Sequence, residues 1–277
     1  MSGGGTQRPA RGQGVLDVEG LRVEQRGPVV EVTLDRPERR NALTPDVISA
    51  LMQLLTAARG DRQLRAVLLT GAGEKAFCAG FDIEMIESVG GSETGAERDL
   101  VDELATTVRE LPVPVVAAVN GAAVGAGCDL AVACDIRVGS PAARFGMPPA
   151  RLGILYGWKG VERLVRTVGP AAAKELLLTG ALVHAERAHH IGLLSAIVPA
   201  DELMAEARRI TDVLAANAPL SVAGSKRMVD LLAAPGTLSD EAHAVLAEIQ
   251  RTVWNSEDAV EGARSYRERR PPEFKGR

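Results

Sequence analysis

The residues best suited to chemistry lie in one stretch, Val115-Val116-Ala117-Ala118-Val119-Asn120-Gly121-Ala122-Ala123-Val124-Gly125-Ala126-Gly127-Cys128-Asp129-Leu130. A β-branched apolar run ends in Asn-Gly, crosses small residues and enters a helix expected over Ala126 to Ala133. Gly125 and Gly127 lack a Cβ, so the backbone can approach a ligand closely there. The first amides of a helix have no intrahelical acceptor and sit at the positive end of its dipole, where they attract developing negative charge. Asp129 shares the helix face of Ala126, one turn on. A main-chain donor and a carboxylate then face one site. The plainer alternative is a tight strand-to-helix connection with Asp129 as first-turn partner of the dipole.

A second turn of the same kind is Phe77-Cys78-Ala79-Gly80-Phe81-Asp82-Ile83, whose small residues precede a helical pattern and can offer another free amide. Cys78 and Cys128 flank the two turns and read as buried, inert thiols rather than nucleophiles. His184, His189 and His190 form no metal-ligand spacing, and no metal is expected.

The elements that must carry these turns follow from periodicity. Leu21 to Glu24 and Val29 to Leu34 alternate around Arg26-Gly27-Pro28, which predicts a hairpin. Thr44-Pro45 supplies an N-cap and a first-turn proline for a helix carrying Val47, Leu51, Leu54 and Leu55 on one face and ending near Gly60. Ala66 to Thr70 reads as a buried strand, Ser88 to Gly95 as a loop and Arg98 to Leu111 as a helix. This alternation predicts an α/β fold with largely parallel strands. Beyond Ile136 to Gly139, helices are expected at 164–168, 171–178, 185–191, 201–217, 220–232 and 239–254, with only Ala196 to Val198 strand-like. The expected organisation is a disordered tail at 1–14, an α/β core at 15–200 and a helical C-terminal region at 201–277.

Composition restricts the function. A chain of 277 residues with 46% hydrophobic residues has length for a real core. Its net charge of -4 argues against nucleic acid as a partner. Three cysteines in apolar surroundings fit a reducing compartment, and no apolar run is long enough for a membrane span, so a cytoplasmic enzyme is expected. A dinucleotide-binding oxidoreductase is disfavoured, because the third glycine position after Gly125-Ala126-Gly127 holds Leu130.

Taken together, the motifs resemble the crotonase superfamily, the enoyl-CoA hydratase/isomerase family. The likeness covers nearly the whole chain after residue 20. It rests on Leu34 to Leu43, Ala76 to Ile83, Asn120 to Asp129, Phe145 to Gly153 and Gly192-Leu193-Leu194 followed by Val198-Pro199. It implies a spiral of ββα units with a helical C-terminal trimerisation region, an acyl-CoA substrate, and a homotrimer or a hexamer of paired trimers. No cofactor is implied beyond the coenzyme A moiety of the substrate. The amides of Phe81 and Ala126 are implied to bracket the thioester carbonyl and stabilise an enolate. Ala42, Ala79, Gly80, Asp82 and Ile83 are implied to lie along the adenine and pantetheine. Tyr266 and Arg269 would come from a C-terminal helix to the nucleotide, often of a neighbouring subunit. Arg39 and Arg40 either pair with its phosphates or form a solvated loop.

Two positions depart from the family pattern. Classical hydratases of the family use two glutamates; here the first position holds Asp129 and the second aligns with Pro149, which has no proton to exchange. The segment from Phe145 to Tyr156 is similar to that of methylmalonyl-CoA decarboxylase, which implies that Tyr156 lies in the acyl pocket; the alternative is a core or rim tyrosine. The expected activity is therefore that of an acyl-CoA lyase or isomerase, foremost a hydratase. A decarboxylase of malonyl-type thioesters, an enoyl-CoA isomerase and a non-catalytic CoA- or RNA-binding paralogue are the alternatives.

Overall fold

The computed structural model describes residues 16–82, 96–153, 155–233, 236 and 238–277. The chain begins with β1 (Leu16–Val18), then the hairpin β2 (Leu21–Arg26) and β3 (Val29–Leu34). Helix α1 (Pro45–Ala58) starts where expected, with the Thr44 hydroxyl accepting from the Val47 N–H at 3.2 Å.

From there the chain repeats one unit, a strand for each of two sheets followed by a helix. The first unit is β4 (Ala66–Gly71), β5 (Ala76–Cys78) and α2 (Ala96–Arg109). The second is β6 (Val115–Val119), β7 (Ala122–Val124) and α3 (Ala126–Ala133); the third is β8 (Ile136–Gly139), β9 (Arg144–Gly146) and α4 (Trp158–Thr179). β10 (Leu182–His184), α5 (Ala185–His190) and β11 (Ala196–Ile197) close the spiral. The larger sheet runs β1-β2-β3-β4-β6-β8-β11 and the smaller β10-β9-β7-β5.

β3, β4, β6, β8 and β11 are parallel neighbours. Every residue of β4 and β6 is buried, which is why both read as unbroken apolar runs rather than alternating ones. One face of the sheet meets α1, α2 and α3 in the main core; the other packs Leu68, Val116 and Val138 against Leu203 and Ala207 of α6 (Leu203–Ala216). The chain ends in α7 (Pro219–Leu232), α8 (Asp240–Trp254) and α9 (Glu257–Glu268).

The α/β spiral and the C-terminal helices are as expected, with two local differences. The helices expected at 164–168 and 171–178 join into α4, kinked where Gly169 takes φ 74° before Pro170. The three-residue strands β9 and β10 were absent from the periodicity, because three residues are too few to display a period.

Candidate functional site

The first turn is built by a loop that wraps around Asn41. Its buried side chain accepts from the Arg36 N–H at 3.0 Å and donates to the carbonyls of Ala72 and Ala76 at 3.0 and 2.8 Å. This pins residues 36–43 against β5. The Ala79 N–H donates to Arg40 O at 3.0 Å, the Leu43 N–H to Gly80 O at 2.8 Å and the Asp82 N–H to Leu43 O at 2.9 Å. Leu43 and Phe81 thus form an isolated parallel bridge. Because it uses the carbonyl before Phe81 and the amide after it, the N–H of Phe81 points to the opposite side.

The second turn approaches from β7. Gly125, at φ 54°, donates its N–H to Gly146 O at 2.9 Å and hands the chain to α3, whose bounds match the expected helix. Glycine lets the two turns touch. A Cβ on Gly80 would lie 2.8 Å from Val124 O and 3.6 Å from Ala126 N, and one on Gly127 would lie 2.1 Å from Cys78 O. Phe81 and Ala126 are consequently brought to one place, Ala126 as the first residue of α3.

Beyond them, Asp129 is 2% exposed. Arg163 of α4 grips it with two bonds, Nε to Oδ1 at 2.8 Å and Nη2 to Oδ2 at 2.6 Å, and Nη2 also reaches Oδ1 of Asp102 on α2 at 2.8 Å. The Tyr156 hydroxyl donates to Asp129 Oδ2 at 3.3 Å. Gly160 allows α4 to come this close, since a Cβ there would lie 2.4 Å from the Tyr156 ring and 3.0 Å from Asp129 Oδ2. Burial alone would lower the Arg163 pKa, but the hydrogen bonds and charge of Asp129, and then those of Asp102, push it above its ordinary value. Burial first, and the Asp129 charge second, raise the Tyr156 phenol well above the usual tyrosine range. Tyr156 is therefore a protonated donor at neutral pH. The proline at the other family position, Pro149, is buried in a short 3-10 turn, Pro149–Leu152.

Asp102 and Arg163 were missed by sequence reasoning, although a signal existed. Each is a charged residue on an otherwise apolar helix stripe: Arg163 beside Gly160 and Leu164, Asp102 beside Val101 and Ala105. A charge on a buried stripe must find a partner, and these two find each other.

The residues implied to meet coenzyme A separate into two groups. Ala42, Ala79, Gly80 and Asp82 lie together along the first turn, where Arg36 Nη1 donates to Ala42 O at 2.8 Å and pairs with Asp82 Oδ2 at 3.2 Å. Arg39 and Arg40 are exposed beside them. Ile83 and the loop at 88–95 lie outside the described residues. Tyr266 and Arg269 stand apart at the end of α9, which packs on α8 and leaves Tyr266 86% exposed. The thiols of Cys78, Cys128 and Cys134 are fully buried, and burial pushes each up to about 12, consistent with inert packing.

Two glycine-lined turns meet within a ββα spiral, with a buried carboxylate beyond them, and this arrangement marks a class of α/β folds. The family model described as enoyl-CoA hydratase/isomerase matches residues 24–277, and the chain belongs to that family. A putative enoyl-CoA hydratase of Thermus thermophilus is 40% identical over 90% of this chain and 98% of its own. The short-chain-enoyl-CoA hydratase of Clostridium acetobutylicum is 38% identical over 78% and 82%. The crystal structure of an enoyl-CoA hydratase from Bacillus anthracis superposes with a TM-score of 0.87 at 32% identity, covering 94% of this chain and all of that one.

Proposed function

We propose that the protein adds water across the double bond of short enoyl-CoA thioesters, with the amides of Phe81 and Ala126 holding the thioester oxygen as an enolate forms. The observation that carries this reading is the contact of the two turns, which sets Ala126 N beside Gly80, next to the Phe81 N–H that the Leu43 bridge leaves pointing to its opposite side. The hydratases among the similar proteins support the reaction type.

With one carboxylate in place of two, the proton steps divide between Asp129 and Tyr156. Water adds its hydroxyl oxygen to C3 and releases a proton to Asp129 as the C2–C3 π electrons move towards the thioester. The Tyr156 hydroxyl then protonates C2, and Asp129 returns its proton to the phenolate along their existing hydrogen bond. A second reading, decarboxylation of a malonyl-type thioester, draws on the lack of a proton carrier at Pro149. A carboxylate at Asp129 beside the acyl group would repel an anionic one, which favours the first.

Ala42, Ala79, Gly80, Asp82 and Ile83 would lie along the pantetheine and adenine, with Arg39 and Arg40 at the phosphates. Tyr266 and Arg269 would reach the nucleotide of a neighbouring subunit. That role accounts for the exposure of Tyr266, and a trimer, alone or paired into a hexamer, would cover the exposed Val229, Leu232 and Trp254 of the terminal helices. Among the described residues no helix is long and apolar enough to cross a membrane, in keeping with a proposed cytoplasmic location.

Mass-resolved turnover on crotonyl-CoA, a 3-enoyl-CoA and methylmalonyl-CoA tests the proposal. Gain of one water by crotonyl-CoA is expected; loss of carbon dioxide from methylmalonyl-CoA, with crotonyl-CoA untouched, would overturn it in favour of the second reading.

A further inference from the structure

Asp129 is short, and its position relies on something other than its own helix. Its two oxygens accept three bonds within the chain, two from Arg163 and one from Tyr156, leaving acceptor capacity for one more donor. The two-point grip of a guanidinium fixes the plane of a carboxylate as well as its place, which a single ammonium cannot do. Arg163 is itself fixed from behind by Asp102. Among the described residues, the charged or titratable groups shown to interact with Asp129 are Arg163 of α4, which Asp102 of α2 also binds, Tyr156 from the chain entering α4, and Cys128 of its own helix. Arg163 is the one cation among them.

We propose that Arg163, backed by Asp102, is the positioning residue of this site: it holds the plane of the Asp129 carboxylate so that its remaining acceptor direction meets the attacking water. The inference rests on the role given to Asp129 above. Arg163 reaches no substrate atom in this account and acts through the carboxylate alone. It therefore affects the rate of the chemical step rather than the binding of coenzyme A.

Arg163 also borders a cavity of about 630 Å³ on its outer side, between α2, α4 and α7, lined further by Thr106, Trp158, Lys159 and Arg166. A small guanidinium salt can reach the position of the side chain through that cavity, which makes the role open to chemical rescue.

The experiment is steady-state kinetics on crotonyl-CoA with Arg163→Lys, Arg163→Ala with and without added methylguanidine, Asp102→Asn and Asp129→Asn. Arg163→Lys keeps the charge and loses the fork, so kcat should fall on the order of 100-fold, as for a reacting group misplaced by about 1 Å. KM should stay within about twofold, as for an interaction made only in the transition state. Asp102→Asn keeps the shape behind Arg163 and should lose about tenfold in kcat. Methylguanidine should restore kcat to Arg163→Ala and leave Arg163→Lys unchanged. If Arg163→Ala fails to fold, Arg163→Lys and Asp102→Asn decide. Wild-type kcat in those two, or a loss confined to KM, would overturn the inference while an impaired Asp129→Asn left the functional reading intact. Full activity of Asp129→Asn would instead remove both.

Discussion

Replacing Gly127 with alanine would place a Cβ 2.1 Å from the Cys78 carbonyl oxygen and 2.7 Å from its carbon. The obstruction is backbone, with no flexible side chain to swing aside. Ordinary contact begins at 3.4 Å, so the two turns must part by about 1.3 Å. Overpacking of that kind costs about 1–3 kcal/mol, or roughly 2–12 °C in Tm for a chain of this size. The larger effect should be on the reaction. Parting the turns separates the amides of Phe81 and Ala126, and a misplacement near 1 Å costs on the order of 100-fold. The assay pairs thermal unfolding with kcat on crotonyl-CoA. Gly27→Ala serves as the control, since Gly27 has a positive φ in the β2–β3 hairpin and nothing within 4 Å of an added Cβ. Gly27→Ala should lose stability modestly and no activity. A Gly127→Ala protein with wild-type Tm and wild-type kcat would refute the argument that the contact of the turns sets the site.

Three further outcomes are expected. Tyr156→Phe removes only a hydroxyl and should lower turnover at least about tenfold with coenzyme A affinity unchanged; equal turnover would return the residue to a packing role. Asp129→Asn should fold and lose turnover by about 100-fold or more, whereas full activity would end the role assigned to the carboxylate. Alkaline pH should destabilise the fold. The thiols have native pKa values raised from 9.0 to about 12, so the stability they contribute is intact below pH 9 and is lost as pH rises from there through 12. Denaturant midpoints taken between pH 8 and 11 should fall accordingly, with native-state thiol labelling slow at neutral pH; a flat profile would contradict it.

Much of this was legible in the sequence because the local signals agree with the fold. Thr44-Pro45 marked the start of α1, and the glycines around Ala126 marked the turn into α3. What stayed hidden was of two kinds. β9 and β10 owe their strand form to pairing with each other and with β7, and no three-residue segment carries that information. The grip of Arg163 on Asp129 and Asp102 joins three helices far apart along the chain, so its pairing becomes visible only once the spiral has brought α2, α3 and α4 side by side. α9 was implied by family likeness alone, since its sequence from Glu257 to Glu268 is largely polar.

The two glycine-lined turns also belong to consecutive units, one leaving β5 and the next leaving β7, and those strands are parallel neighbours in the smaller sheet. Adjacent strands lie about 4.8 Å apart, and a single oxygen between two N–H groups sits about 2.9 Å from each nitrogen. The gap that the proposed pair of amides would offer a carbonyl is thus ruled by the repeat distance of the sheet itself. A lineage can redraw every side chain around the acyl group and keep that gauge, provided that the glycines at 80 and 127 continue to let the two units close on one another.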